Sequence, residues 1–389
     1  MCKSRKFLIG ATFISFFGCG MLTLFLGSIM PDLMATRNLT ASFGGTLLMS
    51  YSLGNLISGL LLGVLCLKFG RKPVILLMSI LAYTGVFIFT FDFNPVYLLP
   101  VCVLIGLGRG SAISYNTALI NLMTDGEPSF QGVLHSIFAF GAIAAPIILM
   151  SARNIFSNWQ SGFFIMALFG VISTILLAMA NVEDNAPEPK SVISNPNQLG
   201  FFKEPGFITV SSLLFWYLCC EYAVNGWLVT FVLEKGMSNE FAQSMAALFW
   251  LIMFIGRVLC AIASRYIAQK ILLLFLGISS FLFFVAMLFS SGKFFVAFTA
   301  GMLGLCMSGL SPIIYAGTAP FTNKYPLAMG IIFSIGCLGA MLMPFFVGVL
   351  AEFYGFTGGM AAILIAFVVL IIFSIINFRN IDKIKISNP

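Results

Sequence analysis

Long apolar runs alternate with short polar interruptions along the whole chain. The runs lie near 7-30, 41-66, 73-91, 97-123, 131-152 and 161-181, then near 207-233, 240-263, 271-290, 294-317, 327-350 and 358-378. A bilayer-spanning helix needs roughly 20 apolar residues, so the pattern predicts an all-α membrane protein with twelve transmembrane helices. One long polar stretch, NVEDNAPEPKSVISNPNQLGFFKEP, separates the two sets of six; it is rich in Pro and Asn and holds four of the thirteen acids. Such punctuation marks a linker. The expected organisation is a six-helix half over 1-181, a cytoplasmic linker over 182-206 and a second half over 207-389.

The halves repeat one another. GAIAAP at 141-146 recurs as GAMLMP at 339-344, IGL at 105-107 as LGL at 303-305, and Lys68-Phe69 as Arg265-Tyr266, at offsets of 197 or 198 residues. Matches held in one register point to duplication and to two pseudo-symmetric halves, an arrangement typical of transporters.

Composition agrees with a lipid solvent: of 389 residues, 60% are hydrophobic and 8% charged, more apolar surface than a soluble core can hide. The run Phe7 to Met30 is too long for a signal-peptide core and reads as a first, retained helix. The nine cysteines show no CxxC spacing and mostly fall inside apolar runs, so neither a disulfide frame nor a metal site is expected. No cofactor is implied.

A net charge of +7 could suggest nucleic acid, but the cations are scattered over short loops. With the N-terminus inside, fourteen Lys and Arg fall on the cytoplasmic side and four outside. That asymmetry obeys the positive-inside rule and places both termini in the cytoplasm.

The loop between the second and third runs carries Gly63, Lys68, Phe69, Gly70, Arg71 and Lys72 in sequence. These residues resemble the helix 2-3 signature of the major facilitator superfamily, over a chain whose length and halves fit that family. The resemblance implies a gating role for Gly63, Lys68, Gly70, Arg71 and Lys72, and it departs from the signature at Leu67, where an Asp latch is expected. Within the superfamily, VLHSIFAFGAIAAP, EYAVNGWLVTFVLEKGMS and FWLIMFIGRVLCAIASRYI are most similar to the fucose-galactose-glucose:proton symporters. That similarity implies carboxylates in helices 1 and 4, where this chain has Gly27 and the Arg109, Ser111, Ala112 region, and a substrate-contacting Gln where it has His135.

Four ionisable groups lie within the spans: Arg109, His135, Glu221 and Arg257. Each is costly in lipid, by about 2.5 to 3.5 kcal/mol on insertion scales for the strongly charged types, and is a functional candidate. Arg109 and Asn116, seven residues apart, share a helix face. Tyr217, Glu221 and Asn225 share another, and the Asn225-Gly226 pair suggests local unwinding of the kind discontinuous transporter helices show. Trp227 is the favoured aromatic platform for a sugar ring, among Trp216, Tyr222 and Trp250. Ser308, Ser311 and Tyr315 form a candidate polar stripe. The expected substrate-binding set is therefore Arg109, Asn116, His135, Tyr217, Glu221, Asn225 and Trp227. Glu221 and His135 are the candidates for proton coupling, since arginine stays protonated and neutral imidazole both donates and accepts. Arg257, near the cytoplasmic end of its helix, is expected to gate.

The sequence thus reads as a monomeric, multi-pass transporter in a bacterial inner membrane, moving a small polar solute, a sugar, together with a proton. Export of drugs, siderophores or other metabolites, and uncoupled uniport, are the alternatives. A membrane enzyme would need clustered Asp, Glu or His at an interface, which the short loops lack.

Overall fold

The computed structural model describes residues 3–124, 128–180, 200–204, 206–318 and 325–386. Among these the regular structure is helical throughout. In order they form α1 (Lys3–Arg37), α2 (Ala41–Phe69), α3 (Arg71–Ile88), α4 (Leu98–Met123), α5 (Pro128–Phe156), α6 (Gln160–Met179), α7 (Phe207–Glu234), α8 (Asn239–Ala263), α9 (Gln269–Phe289), α10 (Lys293–Met307), α11 (Leu310–Ala316), α12 (Pro326–Ala361) and α13 (Ile363–Ile386). Of the linker expected over 182-206, residues 182-199 and 205 lie outside the described residues, and a short 3-10 helix occupies Gly200–Lys203.

Local chemistry explains the boundaries. Thr40 caps α2, its Oγ1 accepting from the Phe43 amide at 3.2 Å, which satisfies one of the donors that a helix start leaves free. A single residue, Gly70 at φ 84°, separates α2 from α3. Only glycine takes that backbone conformation without strain. On the far side of the turn, Lys72 Nζ donates to the Ala180 carbonyl at 2.8 Å, placing a cation at the C-terminal end of α6 where the helix dipole favours it.

Eleven described helical stretches are long and apolar enough to cross a membrane. The last, Ala328–Phe378, has 51 residues. At 1.5 Å per residue it would extend about 77 Å, against roughly 30 Å of hydrocarbon. It is interrupted at Gly355, whose φ 70° and ψ 171° are not helical. Two further expectations change. The run 294-317 forms one span, Lys293–Ala316, but its helix is divided at Ser308 and Gly309 into α10 and α11, and the Ser308 hydroxyl donates to the Leu305 carbonyl at 2.6 Å. Helix α7 does not unwind at Asn225 and Gly226, for it runs unbroken through them.

The chain divides into two compact units, one of residues 1–187 with 225–247, the other of 188–224 with 248–389. In the first, α2 packs on α4, α1 on α5, and α3 on both α4 and α6. In the second, α9 packs on α10 and α13. Backbones meet through glycines. A β-carbon at Gly106 would collide with the Tyr51 carbonyl, and one at Gly141 with the Phe17 carbonyl. In the second unit, Gly304 stands against the Phe249 carbonyl and Gly339 against the Phe215 carbonyl in the same way. All four pairs of corresponding residues are 198 apart, the offset of the sequence repeats. Small residues at such crossings let helices approach in lipid, where packing replaces the hydrophobic effect as the force that joins them.

Candidate functional site

In the first unit the polar centre is Arg109 on α4, with 5% of its surface exposed. Its Nε and Nη2 donate to Thr23 Oγ1 on α1 at 3.1 and 3.0 Å, and its Nη1 to Asn55 Oδ1 on α2 at 3.1 Å. The clamping groups are themselves fixed. Thr23 Oγ1 donates to the Cys19 carbonyl, and Asn55 Nδ2 to the Tyr51 carbonyl. Rings of Tyr51 and Phe138 each lie 5.8 Å from the guanidinium carbon, a favourable cation–π distance. Phe138 leads to Phe16, and Phe16 meets the exposed His135 edge-on at 5.6 Å. A run of rings therefore connects Arg109 to His135.

Asn116, one face along α4 from Arg109, is fully buried. Its Nδ2 donates to Ser15 Oγ at 3.0 Å, and its Oδ1 has no hydrogen-bond partner among the described residues. A buried acceptor left open costs of the order of 1–3 kcal/mol, so this oxygen is free to accept one more hydrogen bond.

The second unit holds Tyr217 and Glu221 on α7, Trp250 and Arg257 on α8, and Tyr315 on α11. Glu221 is 8% exposed and Tyr217 fully buried. The Tyr217 hydroxyl lies within electrostatic reach of Glu221, Arg257 and Tyr315. Thr23 and Glu221 are 198 residues apart, as are Asn55 and Met253. Met253 is the residue whose sulfur meets Arg257. The two polar centres thus occupy corresponding places in the repeat.

Trp227 and Asn225 fall in the first unit. Trp227 is fully buried, and a methyl at Gly44 on α2 would come within 3.0 Å of its ring. A β-carbon at Gly27 on α1 would collide with the Asn225 backbone carbonyl. The carboxylate that the fucose carriers place at the position of Gly27 has no room in this packing. Nearby, Gln243 Nε2 donates to the Ser28 carbonyl at 2.7 Å, and Arg153 pairs with Asp32. Together these contacts tie α1 to α5, α7 and α8 within this unit.

Of the expected gating residues, Lys72 holds the end of α6, as above. Lys68 Nζ lies 5.2 Å from the Phe69 ring. Gly63 is exposed, with nothing within 4 Å of where its β-carbon would stand.

Thr23 and Asn55 escaped sequence reasoning. The signal was present, since Asn55 is the one Asn in the run 41-66; a buried amide requires partners, and the nearest large demand was Arg109.

A family model described as Major Facilitator Superfamily matches residues 8–302. The chain is 24% identical to "Sialic acid transporter NanX" of Escherichia coli, over 81% of this chain and 80% of that protein. It is 23% identical to "Bypass of stop codon protein 6" of Saccharomyces cerevisiae, over 90% of this chain and 78% of that one. Among solved structures, a bacterial homolog of the human lysosomal transporter Spinster, inward-facing and occupied, superposes with a TM-score of 0.81 at 13% identity, covering 97% of this chain and 98% of that chain.

Proposed function

This chain belongs to the Major Facilitator Superfamily, and we propose that it carries a sugar-like solute together with a proton by alternating access of two six-helix halves. It is an integral, multi-pass membrane transporter of small solutes and not an enzyme. The observation that carries the finer reading is Arg109, a buried cation on α4 that donates to the neutral oxygens of Thr23 and Asn55. Ionisable groups at bilayer depth mark solute and proton pathways. A sugar is supported by the hydroxyl-binding chemistry of Asn116 and His135 and by the name of the Escherichia coli relative.

Two halves divided near the linker are supported by the recurring 198-residue offset in the glycine contacts. The break at Gly355 in a stretch twice too long for one crossing supports a twelfth span. The fucose-type subfamily is supported by the sequence similarity alone. Both termini in the cytoplasm, a bacterial inner membrane, a monomeric state and gating by Gly63, Lys68, Gly70, Arg71 and Lys72 complete the reading.

The test is uptake into proteoliposomes with a panel of sugars, with and without a proton gradient. Glu221→Gln keeps shape but removes titration. It should exchange solute across the membrane and fail to accumulate it. Gradient-driven accumulation that survives in the Glu221→Gln, His135→Gln double variant refutes proton coupling through these groups.

A further inference from the structure

Arg257 lies six residues before the end of α8, but its side chain does not point to that end. A helical side chain leans toward the N-terminus of its own helix. Accordingly Nη2 reaches back to Met253 Sδ at 3.6 Å, and the guanidinium carbon stands 5.7 Å from the Trp250 ring. The charged head is thus displaced from the helix end toward the middle of the span. Its partners there are a thioether, which is a weak acceptor, and an indole face. Neither neutralises a cation, and Arg257 makes no ion pair among the described residues. Its Nε has no acceptor among the described residues.

The surroundings offer more donors. Tyr217 is fully buried, and its hydroxyl lies beside Glu221 and Arg257. Tyr315 on α11 is within electrostatic reach of the same Glu221 and Arg257, and of Tyr222 on α7 and Cys337 on α12. Groups around Glu221 thus include the phenols of Tyr217 and Tyr315, and the Arg257 guanidinium lies within electrostatic reach of the same two phenols. A guanidinium whose Nε lacks an acceptor among the described residues, with phenols beside it at membrane depth, calls for an acceptor that carries negative charge. Guanidinium matches carboxylate geometry bidentately.

We propose that Arg257, with the Tyr217 and Tyr315 hydroxyls, forms a subsite for a carboxylate carried by the transported solute, and that Glu221 takes up one proton as that carboxylate binds. The inference rests on the transporter reading above. Two carboxylates beside one guanidinium cannot both stay ionised at low cost, because like charges at a shared site repel and one takes a proton. The Glu221 carboxylate becomes a carboxylic acid with a proton from water, the solute carboxylate stays ionised on Arg257, and both steps reverse on release. Arg257 is then a solute-binding group, and the coupling of proton to solute is electrostatic.

The test compares D-glucuronate with D-glucose, which differ by a carboxylate in place of a hydroxymethyl group. Binding to the purified full chain is measured by titration calorimetry in two buffers of different ionisation enthalpy, which counts protons. The wild type should bind glucuronate at least tenfold more tightly than glucose and take up about one proton with it. Arg257→Gln should bring glucuronate down to the glucose level, while Arg257→Lys, which keeps the charge and loses the fork, retains part of the preference. Glu221→Gln should bind glucuronate without proton uptake. Equal affinities, binding of neither sugar, or a preference that survives Arg257→Gln in a folded protein overturns the proposal. Transport of glucose without preference for glucuronate fails this subsite and leaves the transporter reading standing. Glucuronate binding without any flux in proteoliposomes does the reverse.

Discussion

Gly27→Ala adds a single methyl group where α1 meets α7, and the structure sets its consequence. The new β-carbon would collide with the Asn225 carbonyl oxygen and lie 3.1 Å from both the Asn225 carbonyl carbon and the Gly226 Cα. All three are backbone atoms of an unbroken helix, so no rotamer change relieves the contact and α7 itself must shift. Overpacking of this kind costs about 1–3 kcal/mol, and the backbone contact puts the cost in the upper part of that range, at about 2–3 kcal/mol. The penalty falls only on the packing that brings these helices together. At 1.4 kcal/mol per tenfold, it moves a two-state equilibrium roughly 30- to 140-fold toward the form in which these helices are apart. The assay is modification of Ile29→Cys by a membrane-impermeant maleimide. Ile29 is 2% exposed here, so its labelling rate reports opening. Adding Gly27→Ala should raise that rate more than tenfold. An unchanged rate, in a variant that still inserts and folds, would refute the argument that this glycine contact holds these helices together.

Arg109→Lys keeps the charge but cannot hold Thr23 and Asn55 at once; solute uptake should fall more than tenfold with expression unchanged, and wild-type uptake would remove Arg109 from the site. Lys72→Ala loses the cation at the α6 C-terminus, an effect of about 0.3–1 kcal/mol, and should speed hydrogen exchange in the last turn of α6 while leaving α2 unaffected. Gly106→Ala and Gly304→Ala, at corresponding crossings, should lower thermal stability by similar amounts, and a neutral result at either one contradicts the shared packing.

Much of this fold can be read from the chain before any coordinates. The apolar runs locate most helices to within a few residues, because a span in lipid must satisfy every backbone polar group internally and so must be helical. Gly70 announces the α2–α3 turn, and the repeated GAIAAP and GAMLMP already contain two of the four glycines at the crossings. Arg109, Asn116 and Glu221 are conspicuous as polar residues in apolar surroundings.

What the sequence leaves open is which faces meet. Lipid-facing and helix-facing sides of a span are equally apolar, so periodicity cannot choose between them, and association depends on close packing and a few hydrogen bonds. Nothing in the one-dimensional pattern joins Arg109 to Thr23 and Asn55, 86 and 54 residues away. The pattern also favoured Asn225-Gly226 as an unwinding point, whereas the structure keeps both residues helical. Arg257 shows the same division most clearly: its position along α8 suggests the helix end, but the lean of a helical side chain and the sulfur of Met253 carry its charge the other way. Sequence determined which residues enter the membrane as helices; only the tertiary contacts, made at backbone distance through glycine, decided which of their polar groups face one another.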